Sequence, residues 1–134
     1  MTLSEEELTQ RLRRGYDAFN RGDYEAAIDW VHPDVVYVSP GAITEVRGVE
    51  ALRAWMEPDA FEGQVSTPHE IEIGGNRVLI RQTTKARGAG SGIQMEGASW
   101  AVWTFDEDGR VTRMETYLDY EEEAARRSFR GTRD

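Results

Sequence analysis

The chain predicts an α+β domain, with helices first, an antiparallel meander after them, and the helices on one face of the sheet. Three observations carry the prediction. Apolar residues recur at helical spacing through the front of the chain; they alternate in strand fashion from Ile71 onward; and no repeat, low-complexity tract or linker separates the two regions. At 134 residues there is room for one hydrophobic core. The reading is a single domain over residues 1–134, with its core spanning about 8–125 and residues 130–134 frayed.

Ser4 followed three positions later by Glu7 is a capping box, and Glu5, Glu6 and Glu7 suit the positive end of a helix dipole. Behind them Leu8, Leu12, Tyr16 and Phe19 form one apolar stripe, and Gly22 is placed to end the helix. Asp23 caps a second helix in which Ala26, Ala27, Trp30 and Val31 face one way, and His32-Pro33 stops it. Val35 to Ser39 reads as a strand and the segment after it as a loop. Gly48 leads into a short third helix with Leu52, Trp55 and Met56 inward, ended by Pro58. Ile71 and Ile73 alternate with Glu70 and Glu72, and Gly74-Gly75-Asn76 turns that strand into a second, from about Arg77 to Arg87. The glycine-rich stretch from Gly88 to Gly92 connects to a long strand from about Ile93 to Phe105. Asp106 to Gly109 makes another hairpin turn, leading to a strand from Val111 to about Asp119, and Tyr120 to Phe129 reads as helical.

Composition removes several function classes. Sixteen basic residues against twenty-five acidic ones leave a net charge of −9, the wrong sign for duplex DNA or an anionic membrane. The longest apolar runs, Val35 to Val38 and Trp100 to Trp103, fall far short of the roughly 20 residues a spanning helix needs. The first residues are acidic where a secretory leader is basic. With no cysteine there is no disulfide, thiol nucleophile or zinc-thiolate site. The expectation is a cytoplasmic domain with no nucleic-acid or membrane partner.

Motifs for cofactors are missing. No phosphate loop, nucleophile elbow or dinucleotide fingerprint occurs, and Gly88-Ala-Gly-Ser-Gly92 lies between strands rather than opening a helix. His32 and His69 sit in different segments, each beside a proline, and read as loop or capping residues; no cluster of metal ligands is present, so neither metal nor cofactor is expected. Glu121 to Glu123 with Arg126 and Arg127 read as a solvated helix face. Four tryptophans and five tyrosines fit either an aromatic-walled pocket or plain core. On the second meander strand Val78, Ile80, Gln82 and Thr84 share one face, and Leu79, Arg81, Thr83 and Lys85 the other. Neither face is cleanly apolar, as expected for a sheet with no fully wet side.

The order of elements, together with Tyr16-Asp-Ala-Phe-Asn-Arg-Gly-Asp23, His32-Pro-Asp34, Val46-Arg-Gly48, Val102-Trp-Thr-Phe105, Asp108-Gly-Arg-Val111 and Tyr117-Leu-Asp119, resembles the SnoaL-like branch of the nuclear transport factor 2-like superfamily. The resemblance runs from about Leu8 to Ala125. It implies a cone: a strongly curved antiparallel sheet wrapped around the N-terminal helices and enclosing an apolar pocket. It also implies a homodimer packed through the outer sheet face. The fold hosts several chemistries and assigns none by itself. Against the ketosteroid isomerases of the superfamily, the general base falls at Ser39 and the two oxyanion donors near Gly15 and Ala101, so all three are absent. Against limonene-type epoxide hydrolases, the Asp-Arg-Asp set falls at Arg81, Thr83 and Thr116, with Tyr37 and Ser39 on the first strand; both acids are threonine. A SnoaL-type cyclase carboxylate would require Glu96 or Asp119 to turn inward through a bulge.

The pocket set implied by the resemblance is Tyr37, Ser39, Arg81, Thr83 and Thr116, backed by Trp30, Trp55, Trp103 and Met114. Arg81 either receives the anionic end of a ligand or pairs with a glutamate such as Glu96 or Glu115. Three readings stand. The first is a binder of a small apolar or amphipathic molecule with one polar or anionic end. The second is a cyclase, isomerase or epoxide hydrolase with an unrecognised carboxylate, and the third is a structural dimerisation domain. No catalytic residue is assigned.

Overall fold

A computed structural model of the chain describes residues 3–39, 44–56 and 61–131, without the side chains of Phe61 and Glu62. Helix α1 (Glu5–Asn20) begins at the expected capping box: Ser4 Oγ accepts from the Glu7 amide at 3.1 Å and Glu7 Oε1 from the Ser4 amide at 3.4 Å. It buries Leu8, Leu12 and Tyr16. Helix α2 (Tyr24–Ala27) is capped by Asp23 but runs only four residues. Strand β1 (Val31–Val38) starts earlier than expected and takes in His32 and Pro33. The proline is tolerated because the pairing is irregular between Val31 and Val36, where no ladder hydrogen bond is required of it.

Strand β2 (Glu45–Arg47) stands where a loop was expected. Helix α3 (Val49–Trp55) follows as anticipated, while Pro58 lies outside the described residues. Strand β3 (Phe61–Gly74) is much longer than the Glu70–Ile73 stretch that alternates, and a register shift between Pro68 and Glu70 absorbs its proline. Gly75, at φ 58°, turns it into β4 (Arg77–Gly88). Strands β5 (Gln94–Phe105) and β6 (Val111–Leu118) are joined by the Asp106 turn, whose Oδ1 accepts from the amides of Asp108 and Arg110, both at 2.9 Å. A 3-10 turn (Asp119–Glu121) leads into α4 (Glu122–Phe129). Residues 132–134 of the expected frayed end lie outside the described residues.

The fold is α+β with one open six-stranded sheet, ordered β2-β1-β6-β5-β4-β3. It is antiparallel except for β1 against β6, which run parallel. The main core lies between α1 and one face, here the inner face, where Leu8, Leu12 and Tyr16 meet Val78, Ile80, Ala101 and Phe105. The helices do not all share that face. On the outer side Leu79, Trp100 and Val102 form a second core with Ala125 of α4, flanked by Tyr117 and Phe129. Two covered faces explain why the strands show no clean alternation: Val78, Leu79 and Ile80 are all at most 1% exposed.

A carboxylate is locked into this outer layer. Glu115, 6% exposed, accepts from Tyr117 Oη at 2.5 Å, Ser128 Oγ at 2.6 Å and Arg113 Nε at 2.7 Å. Burial alone would raise its pKa, but the hydrogen bonds from Ser128, Tyr117 and Arg113 and the charge of Arg113 outweigh it and hold the carboxyl below its ordinary value. Burial and the neighbouring carboxylate push the Tyr117 phenol up to about 12.

Two outcomes follow from this packing. Because the folded-state pKa of Glu115 is depressed, its contribution is present above the ordinary glutamate value of about 4.3 and is lost as pH falls through the lower folded value. Melting curves from pH 7 to pH 3 are expected to show Glu115→Gln less stable at neutrality by about 1–3 kcal/mol, with the gap to the parent closing on acidification. Ala125→Glu places a bare carboxylate at a fully buried site under α4 and is expected to cost about 3 kcal/mol or more in denaturant titration.

Candidate ligand site

The polar groups of the inner face gather beyond the apolar core, toward the C-terminal end of α1. Tyr16 stacks on Trp103 with ring centroids 5.9 Å apart and planes 3° from parallel, and its hydroxyl donates to Gln82 Oε1 at 2.5 Å. Gln82 and Ser99 are direct cross-strand partners on β4 and β5, and Gln82 Nε2 donates to Ser99 Oγ at 3.0 Å. Burial pushes the Tyr16 phenol far above its usual value, so it stays a neutral donor. One turn further on, Asn20 pins the helix to β3 by donating to the Ser66 carbonyl at 2.8 Å and accepting from the Ser66 amide at 2.7 Å. Ser66 and Thr84 hydroxyls then meet at 3.0 Å.

The opposite wall comes from β1, β6 and α3. Thr116 Oγ1 donates to Tyr37 Oη at 3.5 Å, and Tyr37 lies 6.1 Å from the half-exposed ring of Trp55. Met114 is the cross-strand neighbour of both Tyr37 and Trp103. Trp30 backs the wall, 6.0 Å from Trp103 and 5.5 Å from Phe105. Six of the expected pocket residues, Trp30, Tyr37, Trp55, Trp103, Met114 and Thr116, are thus brought together. Ser39 is buried too, but its Oγ accepts from the Thr44 amide at 2.9 Å and closes the β1–β2 hairpin.

Arg81 and Thr83 are not in this set. Side chains alternate along a strand, and Val78 and Ile80 are the β4 residues that pack under α1, so Gln82 and Thr84 continue the inner face. Arg81 points outward. Its Nη2 lies 2.5 Å from Asp119 Oδ1, its guanidinium sits 4.7 Å over the Trp100 ring, and its Nη1 is buried without a partner. The partner is neither Glu96 nor Glu115, which stand opposite Lys85 and Val102 on that same outer face. Thr83 Oγ1 meets His69 Nε2 at 2.7 Å, also outside. His32 serves as expected, its Nδ1 accepting from the Asp34 amide at 2.9 Å.

Two consequences follow. Arg81 and Thr83, expected in the pocket, face outward, and the inward positions of β4 beyond Ile80 are Gln82 and Thr84. The strand glutamates Glu70, Glu72, Glu96 and Glu115 all fall on the outer face by register. The residues that sequence reading passed over are Tyr16, Gln82 and Ser99. The signal was available, since Gln82 shares a face with Val78 and Ile80 and Tyr16 shares the stripe of Leu8 and Leu12. Among the described residues, no group of three or more His, Cys, Asp or Glu is placed to hold a metal.

Comparison with known proteins agrees with this architecture. No curated protein sequence matches the chain significantly. Solved structures do. A nuclear transport factor 2-like protein of unknown function from Burkholderia pseudomallei is 22% identical, with 87% of this chain and 93% of that one covered and a TM-score of 0.74. A putative polyketide cyclase from Xanthomonas campestris is 20% identical over 88% and 94% of the two chains, with a TM-score of 0.67. An epoxide hydrolase of the LEH-like type from Mycobacterium tuberculosis is 18% identical over 88% and 83%, with a TM-score of 0.71. These likenesses establish a shared fold. The family model described as a SnoaL-like domain matches residues 12–114, most of the chain, and the protein belongs to that family, built on the nuclear transport factor 2-like fold.

Proposed function

We propose that the inner face binds a small, mostly apolar molecule with one uncharged hydrogen-bonding end. The observation that carries this reading is the direction of the hydrogen-bond chain. Tyr16 donates to Gln82 and Gln82 donates to Ser99, so Ser99 Oγ already accepts and its own proton is left to donate outward. Tyr37 Oη is in the same condition, accepting from Thr116. A carbonyl, ether or hydroxyl oxygen of a ligand satisfies such donors, while Trp103, Met114 and Trp55 supply apolar contact.

The outward placement of Arg81 removes the group that an anionic end would have required, so the ligand class narrows to neutral molecules. Proton abstraction or epoxide opening by acid–base catalysis is served best by a carboxylate or imidazole beside the substrate. Among the described residues the inner polar strip offers only hydroxyls and the amides of Gln82 and Asn20, which supports binding over catalysis.

The test is titration with menthol and menthone, using decanoate as the anionic counterpart, followed by tryptophan fluorescence. A saturable change is expected for the two neutral probes, with decanoate about tenfold weaker. Ser99→Ala is expected to weaken menthone binding about 2- to 10-fold, the range of one neutral hydrogen bond. Arg81→Ala should leave the affinity as it is. Absence of any saturable response, or an equal loss in both variants, would overturn the reading.

A further inference from the structure

A groove lies between α1, the α2 region and the β5–β6 turn, apart from the polar strip of the inner face. Its volume is about 540 Å³. Four arginines line it, Arg11 and Arg14 on α1, Arg21 at the C-cap of that helix and Arg110 on the turn, against two carboxylates, Asp17 and Asp29. In a chain of net charge −9 this lining concentrates positive charge, with Asp23, Asp106 and Asp108 beside it engaging two of the four arginines.

The arginines are unequally engaged. Arg21 reaches Asp23 at 3.5 Å and Arg110 is held by Asp106 at 3.2 Å. Arg11 makes only a 3.4 Å hydrogen bond to the Gly109 carbonyl and lies 5.7 Å over the Trp30 ring. Arg14, exposed, makes neither ion pair nor hydrogen bond to any described residue. At i and i+3 on α1, Arg11 and Arg14 stand side by side.

The floor of the groove carries a donor without an acceptor. Trp30 is 8% exposed, lines the groove, and its indole N–H has no acceptor among the described residues, whereas the Trp100 indole donates to the Asp119 carbonyl at 3.2 Å. Gly15 permits the close approach: a Cβ there would lie 3.6 Å from Trp30 Nε1, so any side chain would screen that nitrogen from the groove. Around it Ala26 and the edge of the buried Ala18 complete the lining with apolar groups.

We propose that this groove binds a small organic carboxylate. One oxygen accepts from the Trp30 indole N–H, the other meets Arg11 and Arg14, and the apolar body lies against Ala26. The indole, unlike a guanidinium, offers a single directed donor, which suits a planar carboxylate with a body to place better than a free tetrahedral anion. The site is separate from the inner face, and its ligand is of opposite electrical character.

The four tryptophans make the test direct, because each indole N–H gives its own signal in a nitrogen-15 correlation spectrum. At constant ionic strength, sodium benzoate is expected to shift the Trp30 indole signal saturably, with benzamide inert and inorganic phosphate at least about fivefold weaker. Arg14→Gln, a change at an unpartnered exposed residue, should weaken benzoate about tenfold, as loss of a charge-assisted hydrogen bond does. Gly15→Ala should keep the fold and reduce binding by screening the indole, while Ser99→Ala should leave it unchanged. The assignment is overturned by no saturable shift of Trp30, by benzamide acting like benzoate, by phosphate binding as well as benzoate, or by an unaltered affinity in Arg14→Gln.

Discussion

The contact between the apolar stripe of α1 and the residues Val78, Ile80 and Ala101 decides most of what this molecule can do. A strand presents alternate side chains to opposite faces, so seating Val78 and Ile80 under Leu8 and Leu12 leaves no freedom for the rest of β4. Gln82 must continue inward and Arg81 outward. A shift of one residue would exchange an amide for a guanidinium in the site and turn a neutral lining into a cationic one. The chemistry of the inner face is therefore set by packing energy well away from it, in the fully buried part of the sheet.

The outer layer shows the same logic with charge included. Arg81 cannot face inward, and a half-buried guanidinium outside needs compensation; Asp119 and the Trp100 ring provide it. Arg126 of α4 lies over the same ring at 5.3 Å and bonds Glu72 of β3 at 2.9 Å, tying the helix across the sheet. Glu115, beneath, is matched by three donors. These groups complement one another closely enough for an acidic chain to cover both faces of one sheet. They also occupy part of the outer face that the family resemblance associates with dimers.

Local signals were the legible part of the sequence. The Ser4–Glu7 capping box, the Gly75 hairpin and the Asp106 turn depend on neighbours within a few residues, and each is where its residues place it. What escaped depends on partners distant in the chain. Strand β2 is three residues with no period to show, and exists because β1 offers it an edge. The first half of β3 carries glycine and proline that argue for a loop, yet β4 holds it extended. For the site, alternation along β4 already separated Gln82 from Arg81. The resemblance points to Arg81 and Thr83 for the pocket, but the alternation that seats Val78 and Ile80 under α1 turns both outward.

Trp30 links the aromatic wall of the inner face to the arginine-lined groove. One face of the indole packs toward Trp103 and Phe105, inside the aromatic wall of the inner site, while Arg11 stacks over the ring. The nitrogen edge meanwhile reaches Gly15 and the groove. A buried ring packed among two aromatic neighbours and a guanidinium has little room to reorient, so its N–H is aimed before any ligand arrives. Fixing a donor in advance removes the ordering cost that a mobile side chain would incur on binding. The same argument applies to Ser99, whose orientation is held by Gln82 and, through it, by a buried Tyr16. In both places the core supplies the aim, and the exposed groups around it supply the charge or the lack of it.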